Sequence, residues 1–466
     1  MRINSVTAPL PRNAHQPSGM KKVLRNACAR AKLLFRADAS FIANCYREAE
    51  TIRNHDDGIT MKKKLEIKNL YKVFGGCSKD ALRLIQSGAG RCQLFAKTGQ
   101  SLAVDNASFT VHEGEIFVIM GLSGSGKSTL VRLLNRLIDP TAGQVLFDGR
   151  DIAGMSDAEL RALRRTHISM VFQSFALMPH LNVLHNVAFG LELAGEPKLQ
   201  RNEKAQEALE KVGLGDRGHC YPHELSGGMQ QRVGLARALA SNPSVLLMDE
   251  AFSALDPLIR AEMQGELVKL QQREQRTIIF ISHDIEEAFR IGDRIAIMQD
   301  GVVVQVGTKE EIVKHPKNDY VRSFFKNVDV TPIYSALDVS DVSGGAIVNA
   351  SQSSVKEARA QLLASDRNFG FVVDEDRRYL GLISIESLDA EIRVKREPDL
   401  ISAMLTEVPT VTATTSVANM YGMLAEFCYD LPVVDTDGRF RGAVSRSRVF
   451  ELLGQRPAYL NSALPN

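Results

Sequence analysis

The stretch Ile116-Phe117-Val118-Ile119-Met120-Gly121-Leu122-Ser123-Gly124-Ser125-Gly126-Lys127-Ser128-Thr129 decides the fold. Five apolar residues read as a buried strand, the glycine-rich run as a loop, and the following Leu130-Val131-Arg132-Leu133-Leu134 as a helix. In that order a G-x-x-x-x-G-K-[ST] run binds phosphate, whereas a glycine-rich turn elsewhere merely caps a helix. Glycines let backbone N–H groups turn inward around phosphate oxygens at a helix N-terminus, where the helix dipole also favours negative charge. Gly121, Ser123, Gly124, Ser125, Gly126 and Thr129 are expected to form the cradle, Lys127 to reach the β and γ phosphates, and Ser128 to hold Mg2+.

Outward from this loop, short apolar runs such as Val245-Leu246-Leu247-Met248 and Thr277-Ile278-Ile279-Phe280-Ile281 alternate with charged amphipathic segments from residue 61 to about 325. Buried parallel strands flanked by helices read this way, so an α/β domain is expected over 61–328. The run ending at Met248 is followed by Asp249-Glu250. A carboxylate at a strand end can hold the metal (Asp249), and its neighbour can deprotonate or orient the attacking water (Glu250). Such a pair is commonly a solvated loop; the phosphate loop upstream gives it the catalytic reading.

Beyond residue 330 the chain repeats itself. Phe371-Val372-Val373-Asp374 and Tyr379-Leu380-Gly381-Leu382-Ile383-Ser384 recur, 61 residues later, as Pro432-Val433-Val434-Asp435 and Phe440-Arg441-Gly442-Ala443-Val444-Ser445. Each copy reads as strand, Asp-rich turn, strand, after a helix opening at Ser354-Val355 or Ser416-Val417. Two small α+β modules are expected, at 329–394 and 395–455, with a tail at 456–466.

The 466 residues exceed one core, and 44% hydrophobic with 24% charged residues is the balance of a water-soluble globular chain. No apolar run approaches the roughly 18 residues that span a bilayer. A net charge of +2 gives no case for nucleic acid, and none is expected as a partner. The six cysteines, Cys28, Cys45, Cys77, Cys92, Cys220 and Cys428, have no metal-ligand or CxxC spacing, which suits a reducing cytoplasm. Residues 1–60 carry no acid before Asp38 and no core periodicity. They read as a disordered extension or an upstream start, or alternatively as a basic amphipathic helix on a membrane surface.

The run Leu225-Ser226-Gly227-Gly228-Met229-Gln230-Gln231-Arg232 resembles the signature of the ABC ATPases. Ser226 and the Gly227 and Gly228 amides open a helix, making a second anion site, and with Gln230 they would face the γ-phosphate bound by another copy. The resemblance implies ATP and Mg2+ as cofactors and a head-to-tail pair of ATPase subunits. It implies that Gln173 contacts the metal and water, that Asp256 in Ser253-Ala254-Leu255-Asp256 lies in the loop crossing the dimer interface, and that His283 touches the γ-phosphate. Adenine would stack on Phe74, with Tyr71 as the rival; an insert containing Cys77 and Cys92 separates Phe74 from Ala103.

That insert, the cassette and the paired repeat together resemble the ATP-binding subunits of glycine betaine/proline importers of the ProV type, from about Leu65 to Gln455, and the repeats resemble tandem CBS domains. The resemblance implies an α/β P-loop ABC ATPase domain with a helical subdomain, followed by the α+β CBS pair. It further implies a separate integral membrane permease, a solute-binding protein, and a peripheral location on the cytoplasmic face of the membrane. Alternatives are an importer of another small solute, such as an amino acid, choline or a polyamine, or a soluble ABC ATPase. Only 53 positions separate Gln173 from Ser226, which leaves no room for the long coiled-coil insert of many soluble relatives. In the CBS copies, Ser384 and Ser445 are followed three residues later by Ser387 and Arg448, where the family pattern has a ribose-binding Asp. A different signal is therefore expected, for instance gating by ionic strength through anionic lipid headgroups bound to Arg439, Arg441, Arg446 and Arg448.

Overall fold

The structure is a computed structural model describing residues 62–454, except 77, 173–174, 254, 327, 342–344 and 406. The expectations for residues 1–60, Gln173 and the tail 456–466 lie outside these described residues.

Among the described residues the first region holds ten strands: β1 (Lys63–Phe74), β2 (Ser101–His112), β3 (Ile116–Met120), β4 (Ala142–Phe147), β5 (Arg150–Asp151), β6 (Ile168–Val171), β7 (Val245–Asp249), β8 (Thr277–Ser282), β9 (Arg294–Gln299) and β10 (Val302–Gly307). They form a four-stranded antiparallel sheet, β2-β1-β4-β5, and a six-stranded sheet, β10-β9-β3-β8-β7-β6, parallel but for β10. Every residue of β3, β7 and β8 is buried, which is why these strands read as unbroken apolar runs rather than as alternations.

The parallel register aligns the strand ends. Met120 pairs with Ser282, Ile281 with Asp249, and Met248 with Val171. The loops leaving β3, β7 and β8 therefore emerge side by side at the carboxyl edge, where open α/β sheets bind ligands.

The insert folds as two helices, α1 (Ser78–Gln86) and α2 (Arg91–Thr98). Ala81 and Leu94 seat them on Val73 and Leu102, at the β1–β2 end of the sheet. Helix α3 (Lys127–Leu134) follows the glycine-rich loop. Helices α4 (Val183–Leu193), α5 (Lys198–Lys211) and α6 (Gly227–Ala240) pack on one another through Val187, Leu191, Ala205, Leu209 and Val233, which makes the helical subdomain. Next come α7 (Pro257–Glu274), α8 (Ile285–Ile291) and α9 (Asp319–Ser323).

The C-terminal copies each hold three strands, β11 (Ala346–Asn349), β12 (Phe369–Val373) and β13 (Tyr379–Ser384), then β14 (Val411–Thr412), β15 (Leu431–Val434) and β16 (Phe440–Val444). Ser354 precedes α10 (Val355–Ala364), Ser384 precedes α11 (Ile385–Val394) and Ser416 precedes α12 (Val417–Glu426). The opening segment of each copy packs in the other: Ala336 joins Val411, Met420 and Leu431, while Leu400 and Ala403 join Val348, Leu362 and Ile383. The sequence repeat is thus not the packing boundary, because each module completes its core with its neighbour's leading short helix. Among the described residues no helix is long and apolar enough to cross a membrane.

Candidate nucleotide site

Gly126 closes the glycine-rich loop at φ +101, and a Cβ there would lie 2.3 Å from the Ala103 carbonyl oxygen. Only glycine fits this turn, which ends with Lys127 as the first residue of α3. Lys127 is buried, and its Nζ donates to the Gly121 carbonyl at 2.8 Å and the Leu122 carbonyl at 3.1 Å. Burial lowers its pKa, opposed by the charges of Glu250 and Asp249. An ammonium held this way gains when an anion enters the loop.

The Ser128 hydroxyl donates to Asp249 Oδ1 at 2.8 Å across 121 positions of sequence, and Arg132 Nη2 lies 3.4 Å from Asp249 Oδ2. A hydroxyl and a carboxylate converging beside a phosphate loop are the hard oxygen donors that Mg2+ takes, so Ser128 and Asp249 fit that ion. Glu250 adopts φ +46, in the left-handed region. Non-glycine residues held there mark a position where structure is spent on aim. Ser253 Oγ donates to the Glu250 carbonyl at 2.9 Å, and His283 Nδ1 lies 3.8 Å from Glu250 Oε1. The structure thus brings Lys127, Ser128, Asp249, Glu250 and His283 together at one sheet edge.

Phe74 ends β1, is 42% exposed and lies under the Lys72 ammonium at 5.0 Å. It pairs with Ser101 on β2, two residues from the Ala103 carbonyl that packs on Gly126. Tyr71 is half-buried, and burial raises its pKa. Of the two, Phe74 is the more exposed.

The residues expected to form the second anion site are arranged differently. Ser226 caps α6, its Oγ accepting the Met229 N–H at 3.4 Å, and it borders a cleft of about 380 Å³ with Gly228, Met229, Arg232 and Ile259. Gln230 Nε2 donates to the Pro222 and Leu225 carbonyls at 2.8 and 3.2 Å, fixing the loop that leads into the helix. Asp256 caps α7 through the Leu258 and Ile259 amides.

One contributor gave no local signal in the sequence. The Tyr320 hydroxyl on α9 donates to the Met298 carbonyl at 3.1 Å, and the Leu122 backbone of the glycine-rich loop lies beside it. A Cβ on Gly121 would lie 2.2 Å from the same Met298 oxygen. Tyr320 stands about 200 positions from the loop it braces, so only the fold reveals the pairing.

The C-terminal copies use their polar groups locally. Ser384 is buried and exchanges hydrogen bonds with Ser387, each hydroxyl accepting the other's amide at 3.0 Å. Ser445 Oγ accepts the Arg448 amide at 3.2 Å. The basic run expected to face outward is largely engaged. Arg441 pairs with Asp435 at 2.8 Å, Arg446 donates to the Leu424 and Phe427 carbonyls, and Arg448 meets Asp341 at 3.6 Å and Glu451 at 3.5 Å. Turn carboxylates and helix ends within the pair claim these guanidinium groups.

The family model described as ABC transporter matches residues 104–253, and the CBS domain model matches 399–455. The glycine betaine/proline betaine transport system ATP-binding protein ProV of Salmonella typhimurium is 54% identical over 391 residues, covering 84% of this chain and 97% of that protein. The glycine betaine transport ATP-binding protein OpuAA of Bacillus subtilis is 44% identical over 403 residues, covering 86% and 94%. The trimethylamine N-oxide transport system ATP-binding protein TmoW of Pelagibacter ubique is 42% identical over 322 residues, covering 68% and 94%.

Proposed function

The chain belongs to the ABC-transporter ATP-binding subunits of the glycine betaine/proline betaine type, and from that membership we propose that it hydrolyses ATP to energise import of glycine betaine, proline betaine and similar compatible solutes. The observation that carries the ATPase reading is the meeting of Lys127, Ser128, Asp249, Glu250 and His283 at the ends of three paired strands. The observation that carries the solute is the 54% identity over nearly the whole of the ProV relative. The cassette does not touch the solute, so the solute enters through relatives and not through a pocket.

The residues divide the work. The loop amides and Lys127 hold the β and γ phosphates, and Phe74 stacks on adenine. Ser128 and Asp249, with Gln173, hold Mg2+, which when bound neutralises charge on the phosphate oxygens. Glu250 accepts the proton of the attacking water, and His283, beside it, contacts the γ-phosphate. Ser226, Gly227 and Gly228 cap the γ-phosphate held by a second copy, so hydrolysis follows head-to-tail pairing. Asp256 sits in the loop between the copies.

Residues 61–328 form the ATPase domain, and 329–394 with 395–455 the paired CBS repeats. A permease and a solute-binding protein complete the importer, with this subunit peripheral on the cytoplasmic face. Gating by anionic lipid is the weaker reading of the repeats, because three of its four arginines already have partners within the pair.

The test is solute-stimulated ATP hydrolysis by the complex reconstituted with its permease and binding protein. Glycine betaine and proline betaine stimulate hydrolysis and are taken up; stimulation only by an amino acid, choline or a polyamine would transfer the assignment to that solute.

A further inference from the structure

Behind the candidate catalytic edge lies a polar cluster that the reaction as described does not use. Glu287, on α8, is 9% exposed, Gln264 on α7 is 4% and Ser282, the last residue of β8, is 2%. The Ser282 hydroxyl donates to Glu287 Oε2, and Gln264 Nε2 donates to Glu287 Oε1 at 2.9 Å. Arg290 Nη1 in turn donates to Gln264 Oε1 at 3.3 Å. Ser282 Oγ also accepts the Asp284 N–H at 3.0 Å, so one hydroxyl grips both ends of the three-residue turn carrying His283. A second tie runs in parallel: Arg260 of α7 reaches Asp284 at 3.8 Å and donates to the Leu255 and Ser253 carbonyls at 3.1 and 3.4 Å. Those carbonyls belong to the loop that ends at Asp256, where α7 begins.

A buried carboxyl is costly, and an apolar residue at this place in α8 would pack more cheaply. Burial raises the Glu287 pKa, opposed first by the hydrogen bonds from Ser282 and Gln264. We propose that Glu287 is a positioning residue for hydrolysis: through Ser282 it sets the turn that carries His283, and through Gln264 it ties that turn to the helix opening at the Asp256 loop. The arrival of a second copy at that loop is then felt at His283 through two struts on one helix, one hydrogen-bonded through Gln264 and one ion-paired through Arg260. The inference rests on the role given to His283 above.

The test uses the full-length chain, single-turnover ATP hydrolysis and separately measured ATP binding. A displacement of about 1 Å in a reacting group can cost about 10²-fold. Glu287→Leu, which keeps the volume apolar and folded, should slow hydrolysis by about 10-fold to 10²-fold while ATP affinity changes by less than about twofold. Glu287→Gln should hydrolyse near the wild-type rate. Its amide oxygen keeps the Gln264 bond, and its N–H can donate to Ser282 Oγ, whose own proton turns to the Asp284 carbonyl at 3.2 Å. In a His283→Ala background, Glu287→Leu should add almost nothing, because the two act in series. Should Glu287→Leu not fold, Gln264→Leu is read by the same outcomes. A folded Glu287→Leu at the wild-type rate overturns the proposal, as does an equal slowing with and without His283. Wild-type hydrolysis by His283→Ala would instead overturn the role of His283 itself, and this proposal with it.

Discussion

At the carboxyl edge of the six-stranded sheet, Ser128 bonds to a carboxylate 121 positions away, while in the C-terminal copies Ser384 bonds to a residue three positions away. The ATPase region spends buried polar groups on meeting one another from separate strands, and its strained Glu250 backbone adds to that cost. The repeats spend theirs on capping their own helices and turns: Asp374 and Asp435 each accept the amide of the residue four positions on, Arg378 and Arg439. Convergence from distant strands is costly unless a ligand repays it; local capping repays itself in helix stability. Side chains of the same kind therefore carry chemistry in one region and architecture in the other.

Glu250→Gln separates the two regimes most sharply. Hydrolysis should fall by at least about 10²-fold with ATP binding retained, since a positioned general base supplies about 10²-fold to 10⁴-fold. Single-turnover assays with trapped nucleotide decide it, and wild-type turnover would remove Glu250 from the role of base. Tyr320→Phe deletes one hydroxyl from a brace that bonds the Met298 carbonyl and lies against the phosphate loop. Losing a hydrogen bond of about 1 kcal/mol should weaken ATP binding about fivefold and leave the rate at saturating ATP unchanged. An unchanged affinity would show that α9 does not brace the loop.

The same substitution in scale, Ser384→Ala, should leave ATP binding and hydrolysis unaltered. It removes the cap of α11, costing about 1 kcal/mol locally, seen as faster hydrogen exchange at the first amides of that helix. A change in nucleotide affinity instead would mean that Ser384 serves a ligand and that the contrast between the regions is wrong. The smallest effect is expected from removing residues 1–60, which carry no core periodicity: hydrolysis should stay within about twofold, and loss of membrane co-sedimentation would support the amphipathic-helix reading.

Much of the site was legible because each member closes an apolar run. Gly121 follows Met120, Asp249 follows Met248, and His283 follows Ser282, so strand recognition alone placed three loops at one edge once the sheet was parallel. The repeats were legible from their 61-residue offset, and Ser354 and Ser416 precede helices as their positions suggested. What escaped the sequence depends on distant partners. Nothing near Tyr320 points to Leu122, and nothing near Glu287 points to Gln264 on another helix. The arginines of the second repeat looked like a solvated cationic face, but Asp435, Asp341 and two backbone carbonyls claim them. The interlocking of the repeats was equally hidden, since by position in the sequence Ala336 and Leu400 belong to their own copies, and only the packed cores show them seated in the other.

If hydrolysis follows head-to-tail pairing as proposed, one chain supplies only half of each working site: the loop around Lys127 from one copy and the helix opening at Ser226 from the other. A mixing experiment tests it directly, combining a Lys127→Ala chain with a Ser226→Arg chain, each inactive alone. In the mixed pair one site carries both lesions and the other carries none, so an equal mixture should regain about a quarter of wild-type hydrolysis. No recovery from two folded, pairing chains would contradict the shared site and confine catalysis to a single copy.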